Sequence, residues 1–107
     1  MPYASCQEAF DSAPARFKKE AAKGLDVVYQ FDLTGDGGGK WSIAVKNEQC
    51  EVKSGQAISP NVTFSMAASD YVDMINGKLN GQMAFMTGKL RLTGDMGLAL
   101  RLQSLFA

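Results

Sequence analysis

Histidine is absent from this 107-residue sequence. That removes the commonest general base and metal ligand, and with it every Ser-His-Asp or Cys-His arrangement. Cysteine is scarce: Cys6 and Cys50 form neither a CxxC pair nor a disulfide framework. A reducing compartment favours two free thiols over a bridge, and nothing places a base beside either. Net charge is also missing, because eleven basic residues balance eleven acidic ones. Without a basic stripe, nucleic acid is not expected as a partner. No apolar run approaches the ~20 residues a membrane span needs. The opening lacks the charged-then-apolar pattern of a secretion signal, so a cytoplasmic location is expected.

What is present suffices for one domain over residues 1–107. Apolar residues make up 46% of the chain and charged ones 21%, which excludes disorder. Cys6, Ala9, Phe10 and Ala13 recur at helical spacing, and Pro14 is expected to break or kink that helix. A short helical piece with Phe17 and Ala21 on one side should follow, capped by Gly24. The cations around it read as a solvated helix face.

From Val27 the period changes to two. Val27, Tyr29, Phe31 and Leu33 alternate with Val28, Gln30, Asp32 and Thr34. Four further stretches repeat the pattern, with Trp41, Ile43 and Val45, then Cys50 and Val52, then Val62, Phe64 and Met66, then Leu90 and Leu92. Five strands with one greasy face each imply a sheet whose helices lie on a single side. The loops GDGGG and NEQ read as hairpin connections that make the first three strands a meander.

Three helices are expected in the remainder. Ser69 is a plausible N-cap, with Asp70 and Asp73 in the first turn, and Asn76-Gly77 ends that helix. Asn80 can cap a short helix over Gln82–Thr87, stopped by Gly88. Asp95 caps the last, in which Met96, Leu98, Ala99, Leu100, Leu102, Leu105 and Phe106 occupy more than one face. A surface helix needs only one apolar stripe, so this one has apolar surface to spare.

The chemical motifs are weak. TGDGGGK is no phosphate-binding loop, since Thr34 and Trp41 stand where glycine and Ser or Thr are required. Nor is it a calcium loop, because Ile43 takes the place of the closing glutamate. Asp70 and Asp73 serve a helix dipole more naturally than a catalytic pair. The methionines are more informative. Met66, Met74, Met83, Met86 and Met96 all fall within 31 residues, and thioethers recur where a surface must fit variable apolar shapes. They fit either core packing or the wall of a cavity.

The tail GKLNGQMAFMTGKLRLTGDMGLALRLQSLF resembles the signature of the sterol carrier protein 2 family. WSIAVKN and NVTFSMAASDY are similar to its earlier strands, and the PARF…EAA opening to its compact single-domain bacterial members. The resemblance implies an α+β fold of two layers. Its five-stranded mixed sheet has the order 3-2-1-4-5, with helices on one face and a hydrophobic tunnel between. It further implies that the tunnel takes fatty acid, fatty acyl-CoA or sterol-like amphiphiles. Gln82 matches the motif glutamine whose amide meets a ligand's polar atoms. The ending LQSLFA departs from the Ser/Ala-Lys-Leu address of peroxisomal relatives, so targeting through that signal is not expected.

The expected walls are then Phe31, Trp41, Ile43, Phe64 and Met66 from the first four strands, and Leu92 from the fifth. The helical region would supply Met74, Ile75 and Leu79, then Met83, Phe85 and Met86 beside Gln82, and finally Met96 and Leu100. The leading reading is a lipid carrier with neither catalysis nor cofactor. Its rivals are an accessory module presenting acyl-CoA to a partner enzyme and a structural domain with a collapsed cavity. A transient contact with a membrane surface is compatible with the first.

Overall fold

Alternation along the chain builds the sheet. The computed structural model of the protein describes residues 3–106. Strands β1 (Asp26–Thr34), β2 (Gly39–Lys46), β3 (Gln49–Ser54), β4 (Val62–Ala67) and β5 (Leu90–Gly94) form one sheet in the order β3-β2-β1-β4-β5. β1 and β4 run parallel, and every other neighbouring pair is antiparallel. The register sets Tyr29 opposite Ile43 and Phe31 opposite Phe64, so the greasy residues of neighbouring strands share one face. Asn47 and Glu48, at φ 53° and 59°, make the tight turn between β2 and β3. Two positive φ values in a two-residue loop are those of a type I′ turn, whose twist matches that of the strands.

Four helices cover the greasy face: α1 (Cys6–Arg16), α2 (Ala68–Ile75), α3 (Gly81–Met86) and α4 (Met96–Phe106). Phe10 of α1 fixes the first. Its ring stacks on Trp41 at 4.8 Å and on Tyr71 at 5.3 Å, and meets Phe31 edge-on at 5.2 Å. Helix α4 is tied to the sheet by the Tyr29 hydroxyl, which donates to the Leu98 carbonyl at 2.7 Å. Its far end is tied by Lys18 N–H, which donates to the Leu105 carbonyl at 2.7 Å. Asn61 joins three segments at the start of β4. It exchanges two hydrogen bonds with Val28 of β1, and its carbonyl accepts from Asp95 N–H just before α4. Gly94 lies beside this junction at φ +108°, where a Cβ would collide with the Asn61 carbonyl.

Several local expectations are corrected. Pro14 does not break α1, which continues to Arg16. Phe10 pins the preceding turn, and Ser12 Oγ and Arg16 Nη2 both donate to the Ala9 carbonyl at 2.9 and 3.0 Å. The second helical piece is a single 3₁₀ turn, Lys19–Ala22, with Phe17 before it. Ser69 is not the N-cap of α2. The chain passes directly from β4 into the helix at Ala68, leaving Asp70 alone in the first turn. Asp73 instead offers its backbone carbonyl to Lys78 and Leu79. Asn80 does cap α3, accepting from Gln82 and Met83 N–H at 2.8 and 3.2 Å, but the helix starts one residue early at Gly81. Asp95 caps α4 by accepting from Leu98 N–H. The side chains of Gln103, Ser104 and Phe106 lie outside the described residues.

The outer face is not bare. Residues 55–61 cross it to carry the chain from the β3 edge to β4. Beneath them Gln30 is fully buried, accepting from Ala57 N–H at 2.8 Å and donating to the Gly55 carbonyl at 3.3 Å. A polar residue at the sheet centre is thus satisfied by the crossover.

The ring stack yields a stability prediction. Phe10→Ala removes the middle of three stacked rings and leaves a cavity, which costs about 3–5 kcal/mol for a buried aromatic. Urea unfolding checks this, and a loss below about 1 kcal/mol, the worth of one aromatic pair, would show that the stack does not hold α1.

Candidate functional site

Below α2, α3 and α4 the sheet is not filled. A cavity of about 830 Å³ lies between them, inside the range of small-ligand sites. Its floor is the greasy face of the sheet: Phe31 and Ile43 from β1 and β2, Phe64 and Met66 from β4, Leu92 from β5. Period-two alternation puts these side chains on one side, and the pairing of Phe64 with Leu92 brings the β4 and β5 positions together. Met74 and Ile75 enter from the end of α2. Leu79 follows the turn at Gly77 and also faces in. Gln82 and Phe85 come from one side of α3, three residues apart, and Met96 and Leu100 from one side of α4, four apart.

Three expected wall residues stand elsewhere. Trp41 is drawn onto Phe10 and borders a separate hollow of about 310 Å³ between α1 and β3. Met83 and Met86 occupy the side of α3 turned away from the cavity and are exposed. Their helix packs through Ala84, which is fully buried, so the inward positions fall to Gln82 and Phe85.

The cavity also has walls that the sequence did not point to. Leu90, Leu102, Ala13 and Ala99 all lie in apolar patterns legible in the sequence without being assigned to a wall, whereas Gly81 carries no such signal. Tyr71 stands at helical spacing from Met74 and Ile75 and also lines the cavity. Arg16 is the most consequential omission, because it brings a cation to an apolar cavity. It was hidden among neighbouring cations that read as solvated surface. Arg16 Nε bonds Ser12 Oγ at 3.2 Å, and the guanidinium lies 5.5 Å from the centre of the Tyr3 ring. The position of α1 on the sheet therefore also sets the position of this charge.

Burial pushes the Tyr71 phenol well above its ordinary pKa, against a smaller downward pull from Arg16. Tyr71 thus stays neutral and able to donate. Burial also raises both thiols; Cys6 donates to the Ala68 carbonyl at 3.6 Å, and Cys50 is half-buried. Neither is an activated nucleophile. Among the described residues no group of three or more His, Cys, Asp or Glu is placed to hold a metal ion. Among them, too, no helix is long and apolar enough to cross a membrane.

A mixed sheet roofed on one face by short helices, with an apolar cavity between, defines an α+β domain built to enclose a small apolar molecule. Residues 8–107 match the model of the SCP-2 sterol transfer family, and the chain belongs to that family. Members are carriers that bind and transfer lipids or sterols. The chain is 40% identical over 100 residues to hydroxysteroid dehydrogenase-like protein 2 of Xenopus tropicalis, covering 92% of this chain and 24% of that protein. The solution structure of the sterol carrier protein domain 2 of Helicoverpa armigera superposes with a TM-score of 0.72 at 32% identity, covering 91% and 79% of the two chains. For palmitated SCP2L2 from Aedes aegypti the TM-score is 0.74 at 27% identity, with 92% and 90% covered. The expectation of a compact bacterial-type member is not borne out. These relatives are animal proteins, and the chain spans about a quarter of the dehydrogenase-like one.

The buried phenol makes an alkaline prediction. Its folded pKa lies above the unfolded value of 10.0, so its contribution is intact below that pH and is lost as pH rises towards the folded value. The Cys6 thiol acts in the same sense from 9.0 upward. Denaturation midpoints should therefore fall above pH 9.0, and Tyr71→Phe should flatten the part of the fall above 10.0. A Tyr71→Phe curve parallel to wild type there would assign the loss to other groups.

Proposed function

We propose that the cavity binds one long-chain amphiphile with an acidic head, a fatty acid or fatty acyl-CoA, and that the chain carries it in the cytoplasm without catalysis or cofactor. The observation that supports this most is the mixture of walls. Aromatic, leucine and methionine side chains surround the space, and Arg16, Tyr71 and Gln82 are its main polar groups. Burial of an acyl chain supplies about 0.8 kcal/mol per methylene, and the walls need no specific geometry to collect it. The Arg16 guanidinium is suited to an acidic head and the Gln82 amide to a further polar atom. The Aedes relative is a palmitated protein, which supports a fatty acid as one ligand class. Two unpaired thiols support a reducing setting.

A second reading has its own support. The dehydrogenase-like relative is about four times the length matched here. Within such a protein, the same cavity would present acyl-CoA or another lipid to an enzyme domain.

Titration with a fluorescent long-chain fatty acid should saturate at about one per chain, the number of cavities of suitable size. Arg16→Gln should weaken the acid about ten- to a hundredfold, the worth of a hydrogen bond to a charged group. The matching long-chain alcohol should be nearly unaffected. Gln82→Ala should cost about 0.5–1.5 kcal/mol for ligands with a polar atom in reach, and spare hydrocarbon probes. Circular dichroism must first show Arg16→Gln folded, since Arg16 also bonds within α1. Absence of saturable binding to folded wild-type protein would defeat the proposal. Equal losses for acid and alcohol would remove Arg16 from the head-group role.

A further inference from the structure

One edge of the sheet carries a row of unused backbone groups. Strand β3 pairs with β2 on one side and ends the sheet on the other. The Gly55 N–H donates to the Lys40 carbonyl at 2.7 Å, and the unbroken register continues through Ser42–Lys53, Ala44–Glu51 and Lys46–Gln49. Bonded positions alternate with unbonded ones along an antiparallel pair. Gln49, Glu51 and Lys53 therefore turn their N–H and C=O groups to β2, while Cys50, Val52 and Ser54 turn theirs outward. Among the described residues nothing bonds those outward groups. An open edge of this kind templates pairing with another strand unless something blocks it.

Charge identifies the occupant. Glu51 and Lys53 are both exposed on the outer face of β3, with Nζ 2.8 Å from Oε1. Charges of one sign on an edge repel a second copy, but these two are opposite and two residues apart. Antiparallel pairing of β3 with another β3 about Val52 sets Val52 opposite Val52, Cys50 opposite Ser54, and Glu51 opposite Lys53 on both sides of the axis. Every outward backbone group then meets an outward one. With the axis moved to Cys50 or Ser54, Glu51 meets Gln49 or Lys53 meets Gly55, and the charge pairs are lost. The β5 edge has no such match within its strand: Arg91 is its one charge, and pairing about Leu92 sets it opposite Thr93.

The greasy face adds a second observation. The hollow of about 310 Å³ between α1 and β3 is bordered by Phe10, Pro14, Trp41, Val52 and Ser54, and Cys50 and Val52 are only half-buried. The same axis brings the second copy's Val52 and Cys50 beside Val52 and Ser54 at that hollow. Asp11 also borders it, accepting from the Gln7 amide at 2.8 Å, and repulsion from its own copy opposes the pairing.

We propose that β3 is a self-association edge: two copies pair antiparallel about Val52 and join their five-stranded sheets into one. No residue of β3 lines the large cavity, so the inference stands apart from what the cavity carries.

The experiment is sedimentation velocity of the full chain over a concentration series. A single strand pair makes a small interface of the weak, reversible class, so dimer should grow in through the micromolar range. Lys53→Glu sets acid against acid at both charge pairs and should weaken the dimer about tenfold. Glu51→Lys/Lys53→Glu restores opposite signs in reversed order and should return affinity to within about threefold of wild type. Val52→Pro removes the outward N–H, a change that an edge strand tolerates, and should leave monomer. If circular dichroism shows that variant unfolded, the charge variants decide alone. A wild type that stays monomeric throughout would overturn the proposal, even if it captured an extended peptide at this edge. So would Lys53→Glu dimerising like wild type, or the swapped double variant remaining as weak as Lys53→Glu. Assemblies that grow past the dimer would also overturn it, because β3 pairing on β5 runs head to tail without closing.

Discussion

The stack of Trp41, Phe10 and Tyr71 is the contact on which the rest of the architecture depends. Three nearly parallel rings join β2, α1 and α2, and Phe31 closes the group from the side. The stack covers one part of the greasy face completely. It also limits how far the remaining helices can settle, because α2 is held at Tyr71 and cannot move inward over β4 and β5. The space left beyond Tyr71 is the cavity. Cavity formation thus follows from close packing next door: side chains that fit well at one end of the sheet hold its roof away from the other end.

How much of this could be read from the sequence depends on what carried the signal. Period-two alternation located all five strands, and the faces of Phe31, Phe64 and Met66, because a sheet residue has only two directions to face. The sheet order came from family resemblance, since alternation says nothing about neighbours. Short helices were harder. Six residues of α3 make less than two turns, so a run such as Gln82-Met83-Ala84-Phe85-Met86 contains no apolar stripe that separates inside from outside. Ala84 takes the buried position of α3, and Met83 and Met86 are exposed. Arg16 was missed for a related reason: a cation among cations looks solvated until tertiary structure shows what its stem lies against. Gln30 shows the same limit, a polar residue in an alternating strand that was buried by a crossover whose path no local pattern announces.

The cavity wall and the outer surface divide the same residue type. Met66 and Met74 face inward, where flexible thioethers adapt to the occupant of the cavity. Met83 and Met86 face solvent on the other side of the same helical roof. A methionine cluster in sequence is therefore divided in space, with Met96 both lining the cavity and exposed.

The Asn61 junction has a consequence for the order in which the molecule is completed. Val28, Asn61 and Asp95 are joined by hydrogen bonds but lie far apart along the chain. Their meeting carries the loop-closure cost of non-local contacts, the kind that slow folding. During synthesis the earlier residues emerge first, so β1 to β4 and the aromatic stack precede α4 out of the ribosome. Ala99, Leu100 and Leu102 leave the ribosome after every other wall residue, and they are the final side of the cavity. Until they arrive, Phe64, Met66 and their neighbours face water. Any stage at which α4 is not yet docked leaves an open apolar trough on the sheet, the same surface that the finished fold encloses.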